Sequence, residues 1–288
     1  MFFELYWQYF VAGLILWVIV RTGYVFYNKL NVNNKELKEN VPDTTTKVTE
    51  TDSDSEDIDD DFLPALPKDL KHIPLVFNQL SEEESLKKSE EFYQLMNARR
   101  TVRHFSRKDI PKDVIYNIIK TAGTSPSGAH TEPWTYVLVH SPEIKEKIRD
   151  IIEEEEEINY KKRMGKVWTT DLKPFKTNWI KEYLTEAPYL ILVFKQLYSF
   201  RTDGKKKLHY YNDQSVNLST GILLAAIQNA GLVSLTSTPL NCGPALRTLL
   251  GRPKSEKLSL LLPVGYPAED CLVPDLQRKS LNEIMVEF

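Results

Sequence analysis

The order of helix and strand signals along residues 62–288 restricts this chain to few folds. Strands and helices interleave without the regular β-α-β repeat of a doubly wound sheet, so the expected class is α+β or a mixed α/β sandwich. Ser81 and Glu84 form a capping box ahead of a helix that ends near Arg99. Pro111 opens a second helix, closed by Gly123, and Ser141-Pro142 caps a third after the apolar strand Trp134–Val139. A second strand is expected over 189–195, then a long, largely apolar helix over 212–230 that stops at Gly231. Residues 232–236, an Asn241-capped helix to Leu250 and a strand over 258–264 follow. Neither G-x-G-x-x-G nor a P-loop occurs, which argues against a Rossmann or Walker site.

The first 61 residues are of another kind. Residues 5–20 are apolar except Gln8, with Tyr6, Trp7 and Tyr9 at one end and Tyr24, Phe26 and Tyr27 beyond the other. With Arg21 snorkelling, residues 1–30 fit a single-pass N-terminal membrane anchor, one transmembrane helix with aromatic belts. Arg21, Lys29, Lys35 and Lys38 lie on its C-terminal side against Glu4 before it, which puts the rest of the chain in the cytosol. Residues 31–61 are expected to be an acidic, disordered tether, since eight of the twelve positions from Glu50 to Asp61 are Asp or Glu. Residues 1–61 carry 12 acids and 5 bases, whereas 62–288 carry 28 acids and 32 bases, a mildly basic remainder suited to anionic cofactors. It shows no basic stripe interleaved with aromatics, so nucleic acid is not an expected partner. Cys242 and Cys271 make no disulfide framework, and the five histidines have no metal-ligand spacing, so a reducing compartment and no metal are expected.

Two segments carry chemistry. Ala98-Arg99-Arg100-Thr101-Val102-Arg103 packs three guanidinium groups into five residues at the end of the first helix. A guanidinium fork matches phosphate oxygens, and such a cluster is hard to hold together without an anion. Pro126-Ser127-Gly128-Ala129-His130-Thr131-Glu132-Pro133-Trp134 is a small-residue turn that runs straight into the 134–139 strand. Either alone also occurs as a solvated helix end or a plain turn. In this order they read as one half of a flavin mononucleotide (FMN) site.

Arg-Arg-x-Val-Arg followed by Pro-Ser-x-x-x-x-x-Pro-Trp leading a strand resembles the nitroreductase superfamily of FMN enzymes. The chain departs from that family's usual P-S-S-x-N-x-Q-P-W, and the departure looks like the iodotyrosine deiodinases. So do the acidic run 153–157 with Ile158-Asn159-Tyr160, Thr177-Asn178-Trp179-Ile180-Lys181-Glu182-Tyr183, Thr238-Pro239-Leu240-Asn241-Cys242-Gly243-Pro244, and Leu262-Pro263-Val264-Gly265-Tyr266-Pro267. The likeness covers nearly all of residues 90–288. It implies that residues 62–288 form an FMN-binding catalytic domain, a nitroreductase-like three-layer sandwich with a central mixed or antiparallel sheet flanked by helices. It also implies an intertwined homodimer with the flavin site shared between subunits. Arg99, Arg100, Thr101, Val102 and Arg103 would border the FMN phosphate and ribityl chain, with Arg278 adding a late guanidinium. Pro126 and Ser127 would approach the flavin from the other subunit. Thr236, Ser237 and Thr238 would line the isoalloxazine ring, with Thr238 as the hydroxyl donor to flavin N5.

The implied reaction is reductive deiodination of mono- and diiodotyrosine to tyrosine and iodide. NADPH is the implied source of reducing equivalents, directly or through a separate reductase. An amino-acid zwitterion needs an anion for its ammonium and a cation for its carboxylate. Glu156 and Tyr160, spaced i, i+4 on one helix face, and Lys181 on a separate helical stretch offer that set. The same residues would also suit a solvated charged face. The segment carries Gly165 and is expected to close over ligand as a lid. The backbone N–H of Ala129 is expected to hold the substrate's phenolate oxygen, and Cys242 to pack rather than to attack. The alternative is a general nitroreductase or flavin reductase acting on quinones or nitroaromatics, which needs no zwitterion clamp. A membrane-tethered interaction protein would need no pigment at all.

Overall fold

The computed structural model describes residues 66–288 apart from Lys68, Thr202 and Asp203, together with Arg21. The expected anchor over 1–30 and tether over 31–61 lie outside the described residues, Arg21 excepted. Among the described residues no helix is long and apolar enough to cross a membrane. All elements named below belong to the compact unit Pro64–Phe288.

The strands are β1 (Trp134–Val139), β2 (Tyr189–Gln196), β3 (Tyr198–Phe200), β4 (Lys206–Leu208), β5 (Val233–Ser234) and β6 (Glu256–Gly265). The main sheet runs β1-β2-β6-β5 with every ladder antiparallel, and β3 pairs β4 separately. Central strand β2 is buried continuously over residues 189–194. Leu190, Leu192 and Phe194 enter one core, while Tyr189, Ile191 and Val193 enter the other. The two-residue period of a strand, covered on both sides, explains why this run shows no polar alternation.

The helices are α1 (Glu82–Asn97), α2 (Lys112–Gly123), α3 (Pro142–Ile158), α4 (Gly165–Leu172), α5 (Tyr183–Glu186), α6 (Asn212–Asn229), α7 (Gly243–Leu249) and α8 (Leu281–Ile284). Ile148 and Ile152 of α3, Leu184 of α5 and Leu246 of α7 close the first core. Ile115 and Ile118 of α2 and Val216, Leu223 and Ile227 of α6 close the second. Helices therefore cover both faces of the sheet, which is the expected three-layer sandwich. The capping box at Ser81 forms in both directions, each backbone N–H lying 3.2 Å from the other residue's side-chain oxygen.

The structure corrects one local expectation and adds two details. Asn241 does not cap α7. Cys242 holds the cap position with no side-chain hydrogen bond, and Asn241 turns through φ 65°, outside the extended backbone that an N-cap adopts. Its side-chain amide points to Asn159 Oδ1 at 3.4 Å instead. Only Val233 and Ser234 of the 232–236 segment form a strand, and Ser237 rejoins the sheet through a bridge to Leu261. The parallel component of the sheet is confined to one bridge, Thr101 to Ser234, with the Val102 amide donating to Ser234 O at 3.1 Å. Through that bridge the arginine segment is tied to the sheet edge.

Gly265, at the end of β6, has no room for a side chain. A Cβ there would lie 2.8 Å from Pro188 Cδ and 3.1 Å from Phe105 Cδ1, both ring atoms that cannot swing aside. Gly265→Ala is expected to lower stability by about 1–3 kcal/mol through overpacking. In urea this appears as a lower unfolding midpoint with an unchanged slope; an unchanged midpoint refutes the tight packing.

Candidate functional site

The chain leaves α1 directly into Arg99 and Arg100, and Arg278 from the C-terminal segment folds back over that helix end. Its guanidinium donates to Asn97 O at 2.7 Å, Asn97 Oδ1 at 3.1 Å and Arg99 O at 2.8 Å. It thus satisfies carbonyls that a helix C-terminus leaves open. Arg100 donates to Pro274 O. Arg99, Arg100, Thr101, Arg103 and Arg278 line a cleft of about 270 Å³ that also takes in Phe175 and Gln277, and no carboxylate lines it. Partial burial, and then the neighbouring charges of Arg278 and Arg100, pull the Arg99 guanidinium below its usual value. Like charges gathered without a counter-ion fit a phosphate, whose oxygens accept from several forks at once. Val102 turns the other way, into the core.

Glu156, Tyr160 and Lys181, the set expected to hold a zwitterion, lie together, with altered secondary structure. Lys145, Ile148, Ile152 and Glu156 form the buried stripe of α3. Glu156 is therefore held at the inner end of a helix whose middle is apolar. Residues 159–163 then widen into a π-helical turn, a feature frequent at functional sites, and Tyr160 lies within it rather than on the α-helix. Lys181 is not helical; it precedes the four-residue α5. Its Nζ lies 3.5 Å from Glu156 Oε2 and donates to Asn178 O at 2.5 Å, with the Tyr160 ring centroid 5.3 Å away. Both charged side chains are nearly enclosed, at 12% exposure for Glu156 and 9% for Lys181. Burial lowers the Lys181 ammonium although Glu156 opposes the shift. Burial likewise raises the Tyr160 phenol, a hydrogen bond to Thr177 opposing it. Removing one partner of such a pair strands the other, typically at about 3–5 kcal/mol.

Tyr183 joins the clamp to the next segment. It is buried, hydrogen-bonded to the Ser237 side chain and close to Glu156, Arg103 and Tyr160, and burial pushes its phenol up to about 12. Thr236 and Thr238 flank Ser237 and are exposed. Arg103 thus faces both the cradle and the clamp. Tyr183, Thr177 and Glu153 are the residues that pattern reading missed. Tyr183 and Thr177 lie at the ends of a quoted motif without an assigned role, and Glu153 is hidden among five consecutive glutamates.

The turn after Pro126 stands apart from these groups. Ala129, His130 and Glu132 adopt φ of 48°, 51° and 45°, a left-handed backbone that non-glycine residues reach only under constraint. Ser127 Oγ accepts from the Glu132 amide at 2.9 Å and Thr131 Oγ1 donates to Gly128 O at 2.9 Å, which holds the turn. Gly128 packs against the start of α6, where a Cβ would lie 3.1 Å from Tyr210 O. The exposed Ala129 is at the crest.

A helix–sheet–helix sandwich with a guanidinium cradle at its sheet edge is the architecture of a flavin-binding reductase. The chain belongs to the nitroreductase family, whose sequence model matches residues 96–266. It is 56% identical over 278 residues to the iodotyrosine deiodinase of Hydra vulgaris, covering 96% of this chain and 95% of that one. It is 53% identical over 289 residues to iodotyrosine deiodinase 1 of Homo sapiens, covering 97% and 99%. Relatives this similar over nearly their whole length place it among the iodotyrosine deiodinases. A crystal structure of oxidized iodotyrosine deiodinase bound to FMN and 3-iodo-L-tyrosine superposes with a TM-score of 0.59 at 30% identity, covering 68% of this chain and 98% of that one.

The cysteines are inert or peripheral. Cys242 is fully buried in the first core, and burial, reinforced by Glu156 and Glu155, pushes its thiol up to about 12. At pH 8 only about one part in ten thousand is thiolate. An aromatic disulfide reagent at that pH is expected to modify Cys271 alone in the folded protein and both thiols in denaturant. Rapid modification of native Cys242 would contradict the buried, neutral thiol.

Proposed function

We propose that this protein is an FMN-dependent reductive dehalogenase that converts mono- and diiodotyrosine to tyrosine and iodide. The carrying observation is the enclosed Glu156–Lys181 pair, with Tyr160 at its side, next to a carboxylate-free arginine cradle. Arg99, Arg100, Thr101, Val102, Arg103 and Arg278 hold the FMN phosphate and ribityl end. Thr236, Ser237 and Thr238 border its ring, with the Thr238 hydroxyl directed to flavin N5. FMN supplies the two electrons that, with one proton, replace the carbon–iodine bond by carbon–hydrogen and release iodide. NADPH is the ultimate donor, directly or through a separate reductase.

The protein's own share is recognition and orientation. Glu156 takes the substrate ammonium, and Lys181 with the Tyr160 hydroxyl takes its carboxylate, so a buried charge always has a partner. The Ala129 N–H donates to the phenolate oxygen and biases the ring toward the non-aromatic keto form in which iodide can leave. α4, exposed and opened by Gly165 at φ 72°, closes the site against water.

A homodimer completes the site. The turn at 126–129, which packs on the start of α6, meets the flavin of the other subunit in this reading. An apolar groove of about 550 Å³ between α1, α2 and α6, lined by Phe92, Val114, Ile118 and Ile222, supports this reading. So do the exposed Ile73, Leu75, Val76 and Phe77 before α1 and Leu281, Ile284, Val286 and Phe288 at the C-terminus. A soluble monomer rarely leaves so much apolar surface open. The apolar 5–20 stretch anchors the dimer to a membrane with the catalytic unit in the cytosol.

The purified protein should be yellow and dimeric, and iodotyrosine, not tyrosine, should quench its flavin fluorescence. Glu156→Gln and Lys181→Gln should each weaken iodotyrosine binding by about tenfold or more, the size of a lost hydrogen bond to a charged group. A general nitroreductase predicts no loss in either variant; that result, or a colourless protein, refutes the assignment.

A further inference from the structure

We propose that Arg149 and Glu153 are positioning residues for zwitterion recognition: they fix the main chain of Lys181, and thereby its ammonium. The inference rests on the function proposed above and deepens it. Lys181 lies in no helix or strand, so no regular hydrogen-bond ladder sets its backbone. Its carbonyl accepts from the Leu184 amide at 3.0 Å, and its own N–H is held by a side chain. Glu153 Oε1 accepts the Lys181 amide at 2.6 Å and, on the same oxygen, Arg149 Nε at 2.7 Å.

Glu153 and Glu156 are three residues apart on α3 and grip the same lysine at two points. The first takes its backbone N–H; the second faces its ammonium at 3.5 Å. Arg149 is itself anchored, donating from Nη1 to Thr185 Oγ1 at 3.0 Å. Lys145, one turn earlier, donates to Thr185 O at 3.3 Å and Ala187 O at 2.8 Å. The segment 181–187 is thus pinned to the polar flank of α3 along its length. Of the contacts made by Lys145, Arg149 and Glu153, the one from Glu153 falls on the residue that carries clamp charge. A long lysine side chain magnifies any backbone displacement, and Lys181 Nζ must stay between Glu156 and Asn178 O to remain partnered. An ion pair kept only for stability would have no need of that amide.

The test uses the full-length, FMN-loaded protein and 3-iodo-L-tyrosine, with binding followed by flavin fluorescence. The FMN content and the rate at which the dithionite-reduced flavin is reoxidised by dioxygen are measured alongside, since neither needs the clamp. Glu153→Ala should raise the dissociation constant about tenfold or more with FMN content and reoxidation unchanged. Glu153→Gln should recover most of the affinity, because its carbonyl still accepts the Lys181 amide. Arg149→Met, which frees Glu153 without removing it, should give a smaller loss. Affinity within twofold of wild type for Glu153→Ala overturns the inference. So does a loss shared equally by iodotyrosine binding, FMN content and reoxidation, or a failure of Glu153→Gln to recover. A wild-type protein that binds FMN but no iodotyrosine refutes the function itself, which separates the two failures.

Discussion

Everything in this protein hangs on the two-sided burial of β2. Its residues alternate between two hydrophobic cores, and its neighbours β1 and β6 pair with it on both edges. A strand enclosed in this way has no freedom of register, because a slip of one residue would exchange the two cores. The elements that bear chemistry are fastened to that frame at its margins. The arginine segment bridges to Ser234 at the sheet edge, Ser237 bridges to Leu261 of β6, and α5 leads directly into β2. The site's precision is inherited from the sheet.

Charge is handled in two opposite ways in neighbouring parts of the molecule. The cradle gathers guanidinium groups with no acid among its lining residues; partial burial, and after it the charges of Arg278 and Arg100, lowers the pKa of Arg99. The clamp encloses one anion and one cation against each other. The first arrangement asks for a net anion from outside. The second asks for nothing net, and accepts only a ligand that brings both signs. These are the complementary demands of a phosphate-bearing cofactor and an amino-acid substrate, and Arg103 stands where the two meet.

How much of this was legible in the sequence depends on whether the governing interaction was local. The Ser81–Glu84 box, Pro111, Ser141-Pro142 and Gly231 mark helix ends within a residue or two, since caps are settled by a few neighbouring atoms. The clustering of Arg99, Arg100 and Arg103 is visible for the same reason, and the joining of Glu156, Tyr160 and Lys181 follows from family likeness, not from spacing. Asn241 shows where local reading fails. It looks like an N-cap, yet a left-handed turn gives its side chain to Asn159, 82 positions away. The π-turn is invisible because nothing in Asn159-Tyr160-Lys161-Lys162-Arg163 distinguishes it from one more turn of helix. The short β3–β4 pair carries too few residues for a pattern.

If Glu156 and Lys181 hold a zwitterion as proposed, such a site can be selective without being large. In this structure Glu156 and Lys181 already partner each other, so an entering zwitterion must replace both contacts at once. A zwitterion does so with no net change in buried charge. A ligand lacking the ammonium separates Lys181 from Glu156 and leaves that carboxylate with the neutral Asn159 amide only; one lacking the carboxylate leaves the lysine with the Asn178 carbonyl only. Either defect carries the penalty of a buried ion without a counter-charge, which outweighs what an aromatic ring can recover by stacking. On the proposed reading, discrimination against analogues that carry only one of the two charges therefore comes from the protein's own ion pair. An ion pair that is worth little as a contribution to stability is well suited to that task, because its only undisturbed alternative is the intended ligand.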